Sequence, residues 1–303
     1  MTHTAPQHEI TADQPIDRMS VAERIHARFE QLTRAERKAA RLLLTNYPVA
    51  GLDSLPELAR RSTVSHPTIL RLVSKLGYSG FGPFQAALRG ELEARFMSPL
   101  RKARDDTPLR DEDNFFARFA DTACENIRQS AAMLPRSEFE GAVSLLLDAG
   151  KTAHLLGGRF TDSIATYLYM HLRVLRPRVA HVTGPPVSWS EYLLDMDERA
   201  ILVVFDIRRY QDDVVAFATE AARRGARLVL ITDQWLSPIA SVATHVLPVR
   251  VEVPSSWDSA SAIVALVEAL IARVNTSAWD RSAERIAELE QLRARLGSTE
   301  RTD

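Results

Sequence analysis

The chain has 303 residues, 46% of them hydrophobic and 25% charged with a net charge of −1, which is enough apolar material for more than one core. Its one cysteine, Cys124, excludes an intramolecular disulfide and a cysteine metal cluster, and the eight histidines lack paired metal-site spacing, so no metal or other cofactor is expected. No apolar run approaches the ~18 residues of a membrane span, and the opening MTHTAPQHEITADQPIDRMS lacks the basic start and apolar centre of a secretory signal, so a cytoplasmic protein is expected.

Charge is unevenly distributed. Between Ser20 and Arg110 there are 16 Lys or Arg against 9 Asp or Glu, a surplus of seven positive charges, which leaves the rest of the chain about eight negative. A basic block beside an acidic remainder suits one domain that meets a polyanion and one that does not.

Residues 1–19, polar and carrying Pro6 and Pro15, read as a disordered tail. Ser20-Val-Ala-Glu23, Thr33-Arg-Ala-Glu36 and Ser54-Leu-Pro-Glu57 each have the spacing at which side chains satisfy the free amides of a helix start. Three helices therefore begin in close order.

The third leads into LPELARRSTVSHPTILRLVSKLGYSGF, two short helices joined by a tight turn, the second opening at Ser65 and closing at Gly77. Leu55, Leu58 and Ala59, then Ile69, Leu70, Val73 and Leu76, recur at the spacing of a buried face. On the solvent side the pattern places His66, Thr68, Arg71 and Lys75. This is a helix-turn-helix candidate in which Ser65 caps the recognition helix, His66, Thr68 and Arg71 meet base edges, and Arg60, Arg61 and Lys75 hold phosphates. YSGFGPF reads as too Gly-rich for a helix, with helical periodicity resuming from Gln85 to Phe96.

These features bound a helical DNA-binding domain over 20–97 and a Pro-containing charged linker over 98–113. From 114 to 275 two helical segments, Phe115 to Met133 and Ser137 to Ala149, lead into five apolar stretches: Thr152 to Leu156, Val179 to Val182, Ala200 to Phe205, Arg227 to Thr232 and His245 to Val249. Helices are expected between them over Asp162 to Leu175, Val187 to Met196 and Gln211 to Arg224, with a short turn at Ser237 to Ala243. Such alternation signals a five-stranded parallel sheet covered on both faces, a three-layer α/β domain. An apolar helix, Ala260 to Val274, closes it, and 276–303 forms a last helix and tail that reads as oligomerising or as plain surface.

Open parallel sheets bind ligands at the carboxyl ends of their strands. After the first strand Gly157-Gly158-Arg159-Phe160-Thr161-Asp162-Ser163 opens a helix. Its glycines let backbone approach an anion, while Arg159 and Thr161 add donors. The third strand ends in FDIRRY, where Arg208 and Arg209 either clamp an anion or pair with neighbouring aspartates. The loop Pro254 to Ser259 reads as a helix cap or as a border of the same pocket. Glu191, Asp206 and Asp233 are the acid–base candidates that an isomerase reading would use, by loop position only.

The stretches LTRAERKAARLLLTNY and LPELARRSTVSHPTILRLVSKLGYSGFGPFQ, with LLGGRF and GARLVLITDQWLSPIA, resemble RpiR-type bacterial transcription regulators, a helix-turn-helix domain joined to a sugar isomerase (SIS) domain. The resemblance covers Met19 to Val274. It implies a homodimer or homotetramer that binds double-stranded operator DNA and senses a phosphorylated sugar, without catalysis. FDIRRY stands where such domains usually carry a serine-rich phosphate loop. An anionic effector on Gly157, Gly158, Arg159, Thr161, Arg208 and Arg209 is therefore expected; a sugar-phosphate isomerase or a ligand-independent DNA-binding oligomer are the alternatives.

Overall fold

The computed structural model describes residues 19–96, 98, 100–102 and 114–297. The expected N-terminal tail before residue 19, the greater part of the 98–113 linker and the end of the C-terminal tail lie outside the described residues.

Five helices form the first domain: α1 (Val21–Arg28), α2 (Arg34–Thr45), α3 (Leu55–Ser62), α4 (His66–Lys75) and α5 (Phe81–Arg95). Ser20 with Glu23 and Thr33 with Glu36 make complete reciprocal caps. At the third site Ser54 accepts from the Glu57 amide, but the Glu57 carboxylate turns to Arg60 instead of reaching back. A chain reversal at Thr63, in left-handed backbone, joins α3 to α4.

Two sequence expectations change here. Helix α5 starts at Phe81, four residues earlier than the glycines suggested, because Pro83 falls in its first turn, where an amide hydrogen would have no partner. This early start inserts Phe84, fully buried, into the core beside Leu58, Ile69, Leu72 and Leu76. On α4 the buried stripe runs through Thr68, Ile69, Leu72 and Val73, so Leu70 faces out (43% exposed) and Thr68 faces in (6%).

Helices α6 (Phe115–Met133) and α7 (Arg136–Leu147) precede a sheet whose strands are β1 (Thr152–Gly157), β2 (Val179–His181), β3 (Ala200–Asp206), β4 (Arg227–Asp233) and β5 (His245–Val249). All pairings are parallel, in the order β2-β1-β3-β4-β5. Between strands lie α8 (Asp162–Leu175), α9 (Ser190–Leu194) and α10 (Asp212–Arg223); α11 (Ser261–Ser277) and α12 (Trp279–Gly297) follow. The expected helix over 187–196 is broken into a 3-10 turn at Pro186–Ser188 and the five-residue α9.

Strand alternation builds the layers. Leu155, Ile201, Val203, Phe205, Val229 and Ile231 point to one face, under α7, α8 and α11. Leu156, Leu202, Val204, Leu228 and Leu230 point to the other, against Trp189 and α10. Among the described residues no single helix is long and apolar enough to cross a membrane.

The two domains touch through polar contacts set in apolar surroundings. Glu23 of α1 and Arg250 after β5 form a two-pronged ion pair, with bonds of 2.9 and 2.7 Å. Ser20 Oγ donates to the Gln234 carbonyl at 3.2 Å. Arg95, at the end of α5, donates to the carbonyls of Trp235 (3.0 Å) and Leu236, and Leu236 itself is buried in the helical core.

Candidate functional site

The chain leaves β1 toward β2 on one side and leaves β3 toward β4 on the other, so a crevice opens between the carboxyl ends of β1 and β3. A cleft of about 280 Å³ occupies it, walled by Gly158, Arg159, Phe160 and Thr161 after β1 and by residues 206–209 and Gln211 after β3. Five of the six expected effector residues line this cleft, and Gly157 lies directly beneath.

The two glycines serve distinct ends. A Cβ at Gly157 would collide with the backbone of Thr161 and Asp162, so this glycine permits α8 to start directly on the strand end. A Cβ at Gly158 would strike the Gln211 side chain, whose Oε1 accepts from the Arg159 amide. Thr161 is occupied within the fold: its Oγ accepts from the Gly158 amide at 2.8 Å and donates to the Phe205 carbonyl at 2.9 Å. Its hydroxyl locks the β1 loop to β3.

The adjacent arginines diverge. Arg208, with a side chain 3% exposed, points inward to a two-pronged bond with Asp258, also approaches Glu252 at 3.4 Å and lies 4.5 Å over the Trp235 ring. Although it borders the cleft, its guanidinium is bound within the protein, the aspartate-pairing alternative open to it in the sequence, with Asp258 as the partner. Arg209, in left-handed backbone, turns outward over Trp257 at 5.4 Å, and Arg159 lies 5.3 Å over Phe160. Neither Arg159 nor Arg209 has a carboxylate partner among the described residues.

A buried acid network runs from the cleft wall at Asp206 to Asp233 beneath it. Asp206, 2% exposed, accepts from Ser237 Oγ at 2.6 Å and from the Gln211 amide; burial pushes its pKa up to about 7. Asp233, fully buried, accepts from Tyr210 Oη at 2.8 Å, from the Trp235 amide at 2.9 Å and from the Arg208 amide; burial pushes it up to about 6. Burial and the Asp233 charge raise the Tyr210 phenol well above its ordinary value, so Tyr210 is a neutral donor. The Arg95 guanidinium stacks on this ring at 5.1 Å. Of the isomerase candidates, Asp206 lines the cleft, Glu191 is not among the lining residues, and Asp233 is sealed below the floor.

In the helical domain α4 exposes His66, Leu70, Arg71 and Lys75. Ser65 occupies the cap position, but its hydroxyl bonds Thr68 Oγ1 at 2.9 Å in place of a free amide. Arg71 approaches the same hydroxyl at 3.4 Å, so Thr68 sits inside the helix-turn-helix as a bracket and does not stand on the solvent face. The expected phosphate-binding cations hold carboxylates: Arg60 with Glu57 at 2.5 Å, Arg61 with Asp53 at 2.5 Å and Lys75 with Glu36 at 2.8 Å. Pattern reading missed Leu70 on the exposed face because buried and exposed positions adjoin in the run ILRLV.

Together, a helix-turn-helix unit and a doubly covered parallel sheet with a switch-point cleft define a two-domain DNA-binding protein with a sugar isomerase type of ligand domain. Residues 19–95 match the family described as helix-turn-helix domain, rpiR family, and residues 145–273 match the SIS domain. The chain belongs to the RpiR family of transcriptional regulators with a SIS domain. Curated relatives include the HTH-type transcriptional regulator HexR of Pseudomonas aeruginosa, 28% identical over 76% of this chain and 79% of that protein. The bifunctional protein glk of Burkholderia thailandensis is also similar, 28% identical over 75% of this chain and 35% of its own length. Among solved structures, the sugar isomerase domain of an RpiR transcription factor from Sphaerobacter thermophilus shares the fold with a TM-score of 0.56 at 23% identity, over 59% of this chain and 99% of that one. The Vibrio vulnificus NanR protein complexed with ManNAc-6P aligns over 91% of this chain and 99% of its own with a TM-score of 0.50 at 18% identity.

Proposed function

We propose that this regulator binds operator DNA as a homodimer or homotetramer and responds to a small anionic carbohydrate derivative, a phosphorylated sugar, held in the cleft between β1 and β3. The carrying observation is the pair of arginines, Arg159 and Arg209, that line one cleft without carboxylate partners among the described residues, beside the start of α8. A phosphorylated sugar in the NanR complex supports the ligand class. Gly157, Gly158 and Thr161 shape the loop that approaches the anion.

On the DNA side, α4 enters the major groove with His66, Leu70 and Arg71 toward base edges, Leu70 suiting a thymine methyl. Ser65 and Thr68 brace Arg71 from behind. Arg60, Arg61 and Lys75 exchange their carboxylate partners for phosphates, which sets register without reading sequence. Signal passes between the domains where the cleft loop is tied to α5: Tyr210 bonds Asp233, and Arg95 grips both the Tyr210 face and the carbonyls after Asp233. An anion that shifts the loop over 206–211 moves the seat of α5 and with it the recognition helix.

The test is to recover genomic fragments bound by the full chain, sequence them and titrate the resulting operator complex with sugar phosphates in electrophoretic shift assays. A symmetric operator whose occupancy changes with a sugar phosphate, in wild type and not in Arg159→Ala, is expected. Operator binding indifferent to every anion would reduce the protein to a ligand-independent DNA-binding oligomer, and turnover of a sugar phosphate would reveal an isomerase.

A further inference from the structure

The cleft opens beside two large aromatic rings that the anion-binding role leaves unused. Phe160, on the loop after β1, is 57% exposed, and Trp257, on the loop before α11, is 51% exposed. Their centroids lie 5.5 Å apart at an interplanar angle of 70°, so they form a corner and not a stack. They come from segments almost a hundred residues apart in sequence.

Both rings are held in place. Phe160 sits in the loop fixed by Thr161, and Arg159 lies over it. Trp257 precedes Asp258, which is clamped to the buried Arg208, and its own amide donates to Ser255 Oγ at 3.1 Å. Here the inward-turned arginine acquires a purpose: it anchors the loop that presents the indole. Two exposed rings in contact at the mouth of a cleft form a contiguous apolar surface, the kind that lines ligand-binding grooves. Rigid presentation lowers the ordering cost of binding.

We propose that Phe160 and Trp257 form a platform for the apolar face of a cyclic sugar, so that the site selects a pyranose phosphate over an open-chain one. This rests on the reading of the cleft as an anion site between Arg159 and Arg209. Three features choose this ligand. The two cation-stacked rings adjoin the anion-binding arginines, so one molecule reaches both. The corner geometry offers no parallel slot in which a flat base could be sandwiched, while the axial C–H bonds of a puckered ring fit against a face and an edge. A cleft of about 280 Å³ lies at the small end of ligand sites, the scale of a monosaccharide phosphate.

The experiment titrates the full-length protein by calorimetry and by tryptophan fluorescence with gluco-, manno- and galactopyranose 6-phosphates. Each is compared with its own alditol 6-phosphate, which keeps the phosphate and the hydroxyls but has no ring; inorganic phosphate and adenosine monophosphate complete the set. Covering roughly 60 Å² of the two rings is worth a factor of about ten in affinity, the preference expected for at least one pyranose over its alditol. Trp257→Ala and Phe160→Ala should erase that preference, read as the ratio of pyranose to alditol affinity within each pair, because any loss of support for Arg159 or Arg209 weakens both members alike. Trp257→Phe should retain most of the preference and lose the fluorescence response. Equal affinity within all three pairs, with Arg159→Ala weakening both members, overturns the platform and leaves the anion site standing. Tighter binding of adenosine monophosphate than of any pyranose also overturns it. Absence of binding by every anion removes platform and anion site together.

Discussion

The helical domain and the sheet domain both display arginines toward a prospective anion, and they arrange them in opposite ways. On α3 and α4 the expected phosphate contacts are tied to Glu57 and Asp53 in exposed or partly exposed ion pairs, and Lys75 reaches in from the surface to the buried Glu36 carboxylate. At the sheet cleft Arg159 and Arg209 rest on aromatic rings with no carboxylate partner among the described residues, while Arg208 is buried against Asp258. Surface ion pairs are worth little and exchange readily for a polyanion, so the first arrangement suits a long, flexible-register partner whose many phosphates act together. A small ligand offers one or two charges, and the second arrangement, which has no ion pair to displace, suits it.

The sharpest way to break this contrast is to treat the neighbouring arginines alike. Arg208→Ala strips a partner from buried Asp258 and should destabilise the sheet domain by about 3–5 kcal/mol, read as a loss of several degrees in calorimetric melting. Arg209→Ala should leave the melt nearly unchanged and weaken sugar-phosphate binding. Equal melting temperatures for both variants would show that Arg208 is not the buried anchor.

On the DNA side, Arg71→Ala should cost about 1–3 kcal/mol on the recovered operator if Arg71 reads a base, with a smaller loss on random DNA. An equal loss on both in shift assays would move Arg71 into the phosphate-holding group. Arg60→Ala, by contrast, should weaken all sequences uniformly and lower the salt dependence of binding by about one unit of slope.

The acid floor gives a subtler test. Because Asp206 is raised to about 7 and Asp233 to about 6, the native state holds more protons than the unfolded chain between the unfolded carboxylate range, about pH 4, and these raised values. Their contribution to stability is fully present below the unfolded carboxylate range and is lost as pH rises through 6 and 7. Asp206→Asn keeps an acceptor for Ser237 Oγ and should flatten that decline, raising the melting temperature at pH 8 relative to wild type by a few degrees. An unchanged pH profile would show that Asp206 is ionised throughout.

Much of the fold was legible in sequence because its signals are local. The reciprocal caps at Ser20 and Thr33, the limits of α6 and α8 and the bounds of β5 follow from pairs a few residues apart or from apolar runs with one periodicity. Where two local signals competed, reading failed: Gly82 and Pro83 masked the start of α5, and ILRLV admitted two stripes, of which the structure buries the one through Leu72.

The cleft was legible only as a list of loops. Strand order, which no local pattern encodes, brings Gly157 beside Phe205 and sets the loop after β1 against Arg209. Arg208 and Arg209 are chemically identical neighbours, and composition could not separate them; one backbone turn and the distant Asp258 did. By itself the sequence determined that this protein has a helical DNA-binding part and a parallel-sheet part, since hydrophobic periodicity and end-capping act over a few residues. Tertiary structure alone decided which of the cleft arginines is buried in an ion pair and which stand exposed on aromatic rings, because pairing and burial depend on groups far apart in the chain.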